Sequence, residues 1–129
     1  MRPAMFEHVN LTVNNPDKTA EVLCQLFNWH IRWSGPAKDD GYTVHVGSET
    51  AYLALYKPKR PVDADLDHRN LGKVNHLGIL VNELDTVEKA VIALGFKTFN
   101  HGDYEPGRRF YFMLSESIEA EVVSYTIPR

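Results

Sequence analysis

Three side chains stand out for the chemistry that their types and positions allow: His8, His76 and Glu121. Both histidines open a stretch in which apolar and polar residues alternate. In His8-Val9-Asn10-Leu11-Thr12-Val13 the apolar residues fall at 9, 11 and 13, and from Asn75 to Val81 they fall at Leu77, Ile79 and Val81. Glu121 lies in a third such stretch, where Ile118, Ala120 and Val122 take the apolar positions. Period-two alternation marks a strand with one packed face and one face free for other work. Singly, each of these residues would be an ordinary hydrogen-bonded polar group. Their coincidence at matching places in the chain is what singles them out. Two imidazoles and one carboxylate brought together form a facial donor set for a divalent metal (iron, manganese, zinc, nickel or cobalt) and leave positions open for substrate. A thiolate site is excluded, because Cys24 sits among Val22, Leu23, Leu26 and Phe27, which are spaced as on a helix.

The elements that must position these residues repeat. With residue 8 laid on residue 76, an offset of 68, His8 meets His76, Val13 meets Val81, Asn14 meets Asn82, Asp17 meets Asp85 and Leu26 meets Leu94. A helix follows each leading strand. The first opens at Asn14-Asn15-Pro16-Asp17, with Asn as cap and Pro in the first turn. The second opens near Asn82, carries Leu84, Val87, Val91 and Leu94 on one stripe, and ends at Gly95. Three strand candidates then follow in each half: His30–Ser34, Tyr42–Val46 and Ala51–Tyr56 in the first, Lys97–Phe99, Arg109–Leu114 and Ile118–Tyr125 in the second. The fold class is therefore α+β, two tandem βαβββ modules whose sheets form a half-open cup around a metal site. Module one spans 5–57, a Pro-containing charged connector 58–73, and module two 74–126, within a single domain.

Alternation also assigns the residues that line the cup. The first half offers Asn10 and Thr12 beside His8, then Tyr52, Ala54 and Tyr56, with Trp33, Tyr42, Thr43 and His45 as further walls. The second half offers Arg109, Tyr111 and Met113, then Glu119 beside Glu121. Tyr111 and Arg109, side by side, suit an anionic or enolic oxygen and are the expected catalytic groups. Asn10, Tyr52, Tyr56, His45 and His101 are the expected substrate contacts. His101, between Asn100 and Gly102, reads as a loop histidine, and 35–40 and 100–107 read as the loops that would decide the substrate.

The bulk numbers exclude several alternatives. The 129 residues are 43% hydrophobic and 24% charged with a net charge of −3, an ordinary globular composition without a basic patch for nucleic acid or an anionic membrane. No apolar run approaches a bilayer span, and nothing after Met1 reads as a signal peptide. One cysteine forms no internal disulfide and fits a reducing compartment, so a cytoplasmic protein is expected.

Paired βαβββ modules with His at the head of each, and Glu on the last strand of the second, resemble the vicinal oxygen chelate superfamily, which includes glyoxalase I, extradiol dioxygenases, fosfomycin-modifying thiol transferases and bleomycin-resistance binding proteins. The resemblance covers residues 5–126. It implies His8, His76 and Glu121 as ligands, a small-molecule substrate chelated through vicinal oxygens, and a homodimer with metal sites shared across its interface.

The informative departure is Ala54. Glyoxalase I and its epimerase relatives place a fourth ligand there, and alanine offers none. Three-ligand branches therefore fit better. The thiol transferases resemble this chain in a small residue at 54, an aromatic at Tyr52, and a strand like Phe110-Tyr111-Phe112. Their active-site Thr falls on Asn10, however, and their Ser- and Lys-rich contacts fall among unlike residues between His101 and Arg109, which argues against fosfomycin itself. Extradiol dioxygenases resemble it in a Tyr ten residues before the Glu and a His ten before that, but the signature fails at Leu114-Ser115. The resemblance implies a metal-dependent enzyme of dioxygenase or thiol-transferase type. The alternative is a non-catalytic protein of the bleomycin-resistance type that sequesters an aromatic ligand.

Overall fold

The computed structural model describes residues 1–125 and divides into two compact units, Met1–Asp63 and a second from Ala64 onward. Thr126, the end of the second module as read from sequence, lies outside the described residues. In the first unit β1 (His8–Thr12) leads into α1 (Pro16–Phe27), then β2 (His30–Ala37), β3 (Gly41–Gly47) and β4 (Tyr52–Lys57). In the second, β5 (Leu77–Leu80) leads into α2 (Leu84–Ala93), then β6 (Thr98–Tyr104), β7 (Gly107–Ser115) and β8 (Ile118–Tyr125). Each unit is βαβββ, as the repeat predicts. The sheets have matching orders, β1-β4-β3-β2 and β5-β8-β7-β6, with the leading strand parallel to the last strand of its own module.

The helices form where their caps and stripes require. The Asn15 side chain accepts from the Lys18 amide, Pro16 fills the first turn, and Asn28 ends α1 in the left-handed conformation (φ 56°). Thr19, Ala20, Leu23 and Leu26 are buried between α1 and its sheet, with Val44, Val46, Leu53 and Leu55 opposite. The second core gathers Leu84, Val91, Phe110, Phe112, Ile118, Ala120 and Val122. Of the stripe read on α2, Leu94 departs: it caps the helix and is 38% exposed. Both helices are tied to their sheets at the first turn. Tyr42 donates to Asp17 at 2.7 Å, and Arg108 donates to Asp85 at 2.8 Å.

The main differences from the sequence reading lie in β2 and β6, which extend to Ala37 and Tyr104 through segments read as loops. Register shifts explain why pattern alone missed them. An irregularity between Ile31 and Trp33, and another between Phe99 and Gly102 with Asn100 at φ 52°, break the period-two signal without ending the ladder. The turn joining β6 to β7 contains a cis Glu105–Pro106 bond. Gly107 follows it because a Cβ there would lie 1.9 Å from the Ser124 carbonyl oxygen. Part of the connector is fastened to the second unit. The Asp65 amide donates to Ser117 Oγ at 2.8 Å, and the Lys73 ammonium donates to the Asp65 carbonyl. Among the described residues no helix is long and apolar enough to cross a membrane.

Candidate functional site

The open face of the second sheet carries the more complete half of the expected site. His76 stands one residue before β5, and Glu121 lies in β8 opposite Gly78. Their Nε2 and Oε1 atoms are 3.3 Å apart. Two atoms bonded to one divalent ion at about 2.1 Å sit roughly 3 to 3.5 Å from each other, so this spacing fits a shared metal. His76 Nδ1 is engaged by the Asn75 side-chain oxygen at 2.8 Å, the contact that turns Nε2 outward. The other carboxylate oxygen of Glu121 accepts from Arg109 Nη1 at 2.9 Å and from the Tyr111 hydroxyl at 3.1 Å. Burial, and then the charge and hydrogen bond of Glu121, push the Tyr111 phenol above its ordinary value, so it stays a protonated donor at neutral pH. A hollow of about 430 Å³ opens beside the pair, lined by Asn75, His76, Asn100, His101, Tyr104, Tyr111 and Glu119.

The first sheet presents a different surface. His8 begins β1 and stacks on Tyr52 (ring centroids 4.9 Å apart); Tyr52 stacks on His45 (4.7 Å), and His45 meets Trp33 (5.2 Å). Strand parity near His45, ambiguous in sequence, is settled by its pairing with Ala54. His8 Nδ1 lies 2.8 Å from Glu7 Oε1, which also accepts from the Tyr52 hydroxyl at 3.3 Å. The bond to His8 holds the Glu7 carboxyl below its ordinary value, against a smaller opposing effect of burial. Burial, and then the nearby His8, push the His45 imidazole down, so it stands neutral at pH 7. Asn10 is exposed on this face, while the Tyr56 hydroxyl donates to the Lys38 carbonyl at 2.9 Å. Tyr42, read as a wall, is turned to α1 by its bond to Asp17. Burial raises the Cys24 thiol, in keeping with a packing role.

The register makes the two modules comparable residue by residue. Asn10 pairs with Ala54 as Gly78 pairs with Glu121, so Ala54 occupies the place of Glu121 in its own module. Next along, His45 pairs with Ala54 as Tyr111 pairs with Glu121. The first module thus keeps the histidine but has neither the carboxylate nor its phenol. Ala54 is 2% exposed and has no donor atom. Among the described residues, neither unit by itself gathers three His, Cys, Asp or Glu side chains into a metal-holding set. Of the three expected ligands, His76 and Glu121 belong to the second unit and His8 to the first.

His101 lies in β6 rather than in a loop, and its ring faces α2. Its Nε2 is 2.6 Å from Glu88 Oε2, which also accepts from the Thr98 hydroxyl at 2.6 Å, and its ring lies 6.4 Å from that of Phe110. His101 therefore borders the hollow from the helix side and makes none of the contacts that join His76, Glu121, Arg109 and Tyr111. Sequence reasoning missed Glu7 and Asn75, the residues that hold the two histidines. They too are separated by 68 positions, but Glu and Asn differ in type. Only matching by what each can accept, rather than by identity, would have found them. It also missed Arg32, which lies over the Tyr52 ring at 4.5 Å, because the β2 irregularity hides its face.

A model of the Glyoxalase/Bleomycin resistance protein/Dioxygenase superfamily matches residues 5–100. No curated protein sequence matches the chain. Solved structures share its fold. A glyoxylase/bleomycin resistance protein/dioxygenase domain from Frankia sp. EAN1pec superposes with a TM-score of 0.81 at 17% identity, covering 96% of this chain and 99% of that one. A mutant of the genomically encoded fosfomycin resistance protein FosX from Listeria monocytogenes, complexed with manganese(II) and a dihydroxypropylphosphonic acid, gives 0.74 at 18% identity, covering 98% and 96%. A glyoxalase I mutant from Zea mays gives 0.76 at 12% identity, covering 92% of this chain and 44% of that one.

Proposed function

Because the chain belongs to the glyoxalase/bleomycin resistance protein/dioxygenase superfamily, we propose that it is a divalent-metal enzyme acting on a small oxygenated organic molecule chelated through vicinal oxygens. His8, His76 and Glu121 hold the ion. The observation that carries this reading is the duplicated fixing of the two histidines. Each has its Nδ1 engaged by a side-chain oxygen of the preceding residue, Glu7 or Asn75, which leaves Nε2 as the nitrogen that would meet a metal. A carboxylate or amide behind an imidazole is the usual support of a metal ligand. The manganese(II) bound by the FosX structure is in keeping with such a centre.

When bound, the metal supplies Lewis acidity to the chelated oxygens. The protein's own groups then act around it. Tyr111 offers a protonated hydroxyl that rests on Glu121 Oε2 and would turn from it to donate to a substrate oxygen as negative charge develops there. Arg109 supports the same carboxylate. Asn10, His45, Tyr52 and Tyr56 contact the organic part of the substrate, with His101 at the rim. With Ala54 in place of a fourth ligand, the protein contributes three donors and no carboxylate base at that position. This supports dioxygenase-like or thiol-transferase-like chemistry over that of glyoxalase I. The protein acts as a cytoplasmic homodimer.

A second reading, sequestration of an aromatic ligand without chemistry, is favoured by one feature, the continuous row His8–Tyr52–His45–Trp33. Metal analysis separates the two. Protein purified without chelator should carry a divalent ion, and His76→Ala should weaken its affinity at least about a hundredfold. No bound metal and no uptake, or unchanged affinity in the variant, rejects the enzyme reading.

A further inference from the structure

Arg109 is nine-tenths shielded from water, a position in which an uncompensated guanidinium is unstable. Its surroundings compensate it. Nη1 donates to Glu121 Oε2 at 2.9 Å, Nη2 donates to the carbonyls of Tyr104 and Gly107 at 3.0 and 3.1 Å, and the guanidinium carbon lies 4.0 Å from the centre of the Tyr104 ring. Its Nε has no hydrogen-bond partner. These contacts face Glu121 and the β6–β7 turn, so the side chain acts on the site through Glu121 rather than by touching a ligand.

The first module is an internal control. Thr43 pairs with Tyr56 as Arg109 pairs with Val123, and Tyr56 and Val123 lie two residues beyond Ala54 and Glu121. The register therefore sets Thr43 in the place of Arg109. The guanidinium is present in the module that has the carboxylate and replaced by a neutral residue in the module that has alanine. The βαβββ topology is the same with either residue, so the topology alone does not require Arg109, whose side chain joins Glu121 to the β6–β7 turn.

Resting on the metal-centre reading above, we propose that Arg109 is a positioning residue that sets the charge of that centre and thereby the class of substrate. With Tyr111 it engages Oε2, which leaves Oε1 as the Glu121 atom that would hold a metal, and it offsets the charge of the one carboxylate among the proposed ligands. A divalent ion held there keeps its full positive charge. The centre therefore selects a chelate whose vicinal oxygens are ionised, a dianion above all, over a neutral one of similar shape. In the shielded interior a charge a few ångströms away acts several-fold more strongly than it would in water. The acid that borders the hollow, Glu119, is part-exposed, and its field is correspondingly screened.

The test measures Mn²⁺ affinity by calorimetry, then binding of oxalate and of neutral hydroxyacetone to the manganese-loaded protein by water-proton relaxation. Arg109→Gln keeps amide donors and removes the charge. It should bind Mn²⁺ roughly tenfold more tightly and oxalate roughly tenfold more weakly, with hydroxyacetone unchanged. Arg109→Lys should return both values to within about threefold of wild type. A structural prop would move all three affinities down together, and that result, or unchanged oxalate binding, overturns the inference while leaving the metal centre standing. Wild-type protein that takes up no Mn²⁺ rejects the centre and the inference together. If Arg109→Gln does not fold, Arg109→Met, which keeps the stem against Tyr104, takes its place with the same expectations.

Discussion

The side-chain oxygen of Asn75 decides which nitrogen of His76 faces outward. An imidazole with Nδ1–H donated to a fixed acceptor presents Nε2 as a lone-pair donor in one orientation, whereas a free ring samples several and both tautomers. Glu7 does the same for His8 with a full negative charge, so the two imidazoles are held alike but are not electronically equal. Asn75→Ala should weaken metal affinity about tenfold or more without abolishing it, because the ligand itself remains. Asn75→Asp should recover most of that loss, since the carboxylate restores the acceptor. Titration with Mn²⁺ reads both variants. Equal affinities in wild type and Asn75→Ala would count against Nε2 ligation by His76.

Between elements, the same logic governs α2 and β6. Glu88 reaches from the helix to Thr98 and His101, spanning the irregularity at which Asn100 adopts a positive φ. Burial alone would raise the Glu88 carboxyl, but the bonds from Thr98 and His101 together outweigh it and hold the group below its ordinary value. A carboxyl depressed on folding contributes stability at pH above its unfolded value, and that contribution is lost as pH falls through the folded value. Glu88→Gln should therefore cost about 1–2 kcal/mol at pH 7. The gap to wild type should close as pH is lowered below the ordinary carboxylate range. Urea unfolding across pH measures this. A gap that stays constant into acid would show that the loss comes from packing rather than from charge.

At the scale of the whole molecule, duplication with divergence is the governing fact. Both modules keep histidine at the head of the leading strand, but only the second keeps the carboxylate, phenol and guanidinium, so the proposed centre calls on residues of both. For an isologous homodimer whose sites join His8 of one chain to His76 and Glu121 of the other, a mixing experiment is decisive. His8→Ala and Glu121→Ala each lose tight metal binding. Co-refolded in equal amounts, they should recover about a quarter of the wild-type sites, because random pairing makes half the dimers mixed and each mixed dimer holds one intact site. No recovery would assign all three ligands to a single chain.

Much of this was legible in the residues themselves. Strand parity alone placed Phe110, Phe112 and Val122 in the core and Arg109, Tyr111 and Glu121 on the opposite face, because the side-chain period of a strand leaves no third choice. The offset of 68 announced the repeat and paired His8 with His76. What only the tertiary structure decided was whatever depends on register between strands or on contacts between elements. Sequence spacing set Tyr111 ten residues before Glu121; the β7–β8 pairing made them partners across a ladder. The reach of β6 through Asn100, and the turn of His101 toward Glu88, follow from a bulge that breaks the very alternation used to read strands. Arg109 is the sharpest case. Its face was plain from parity, but its pairing with Glu121, and its replacement by Thr43 where the carboxylate is missing, exist only in the folded register.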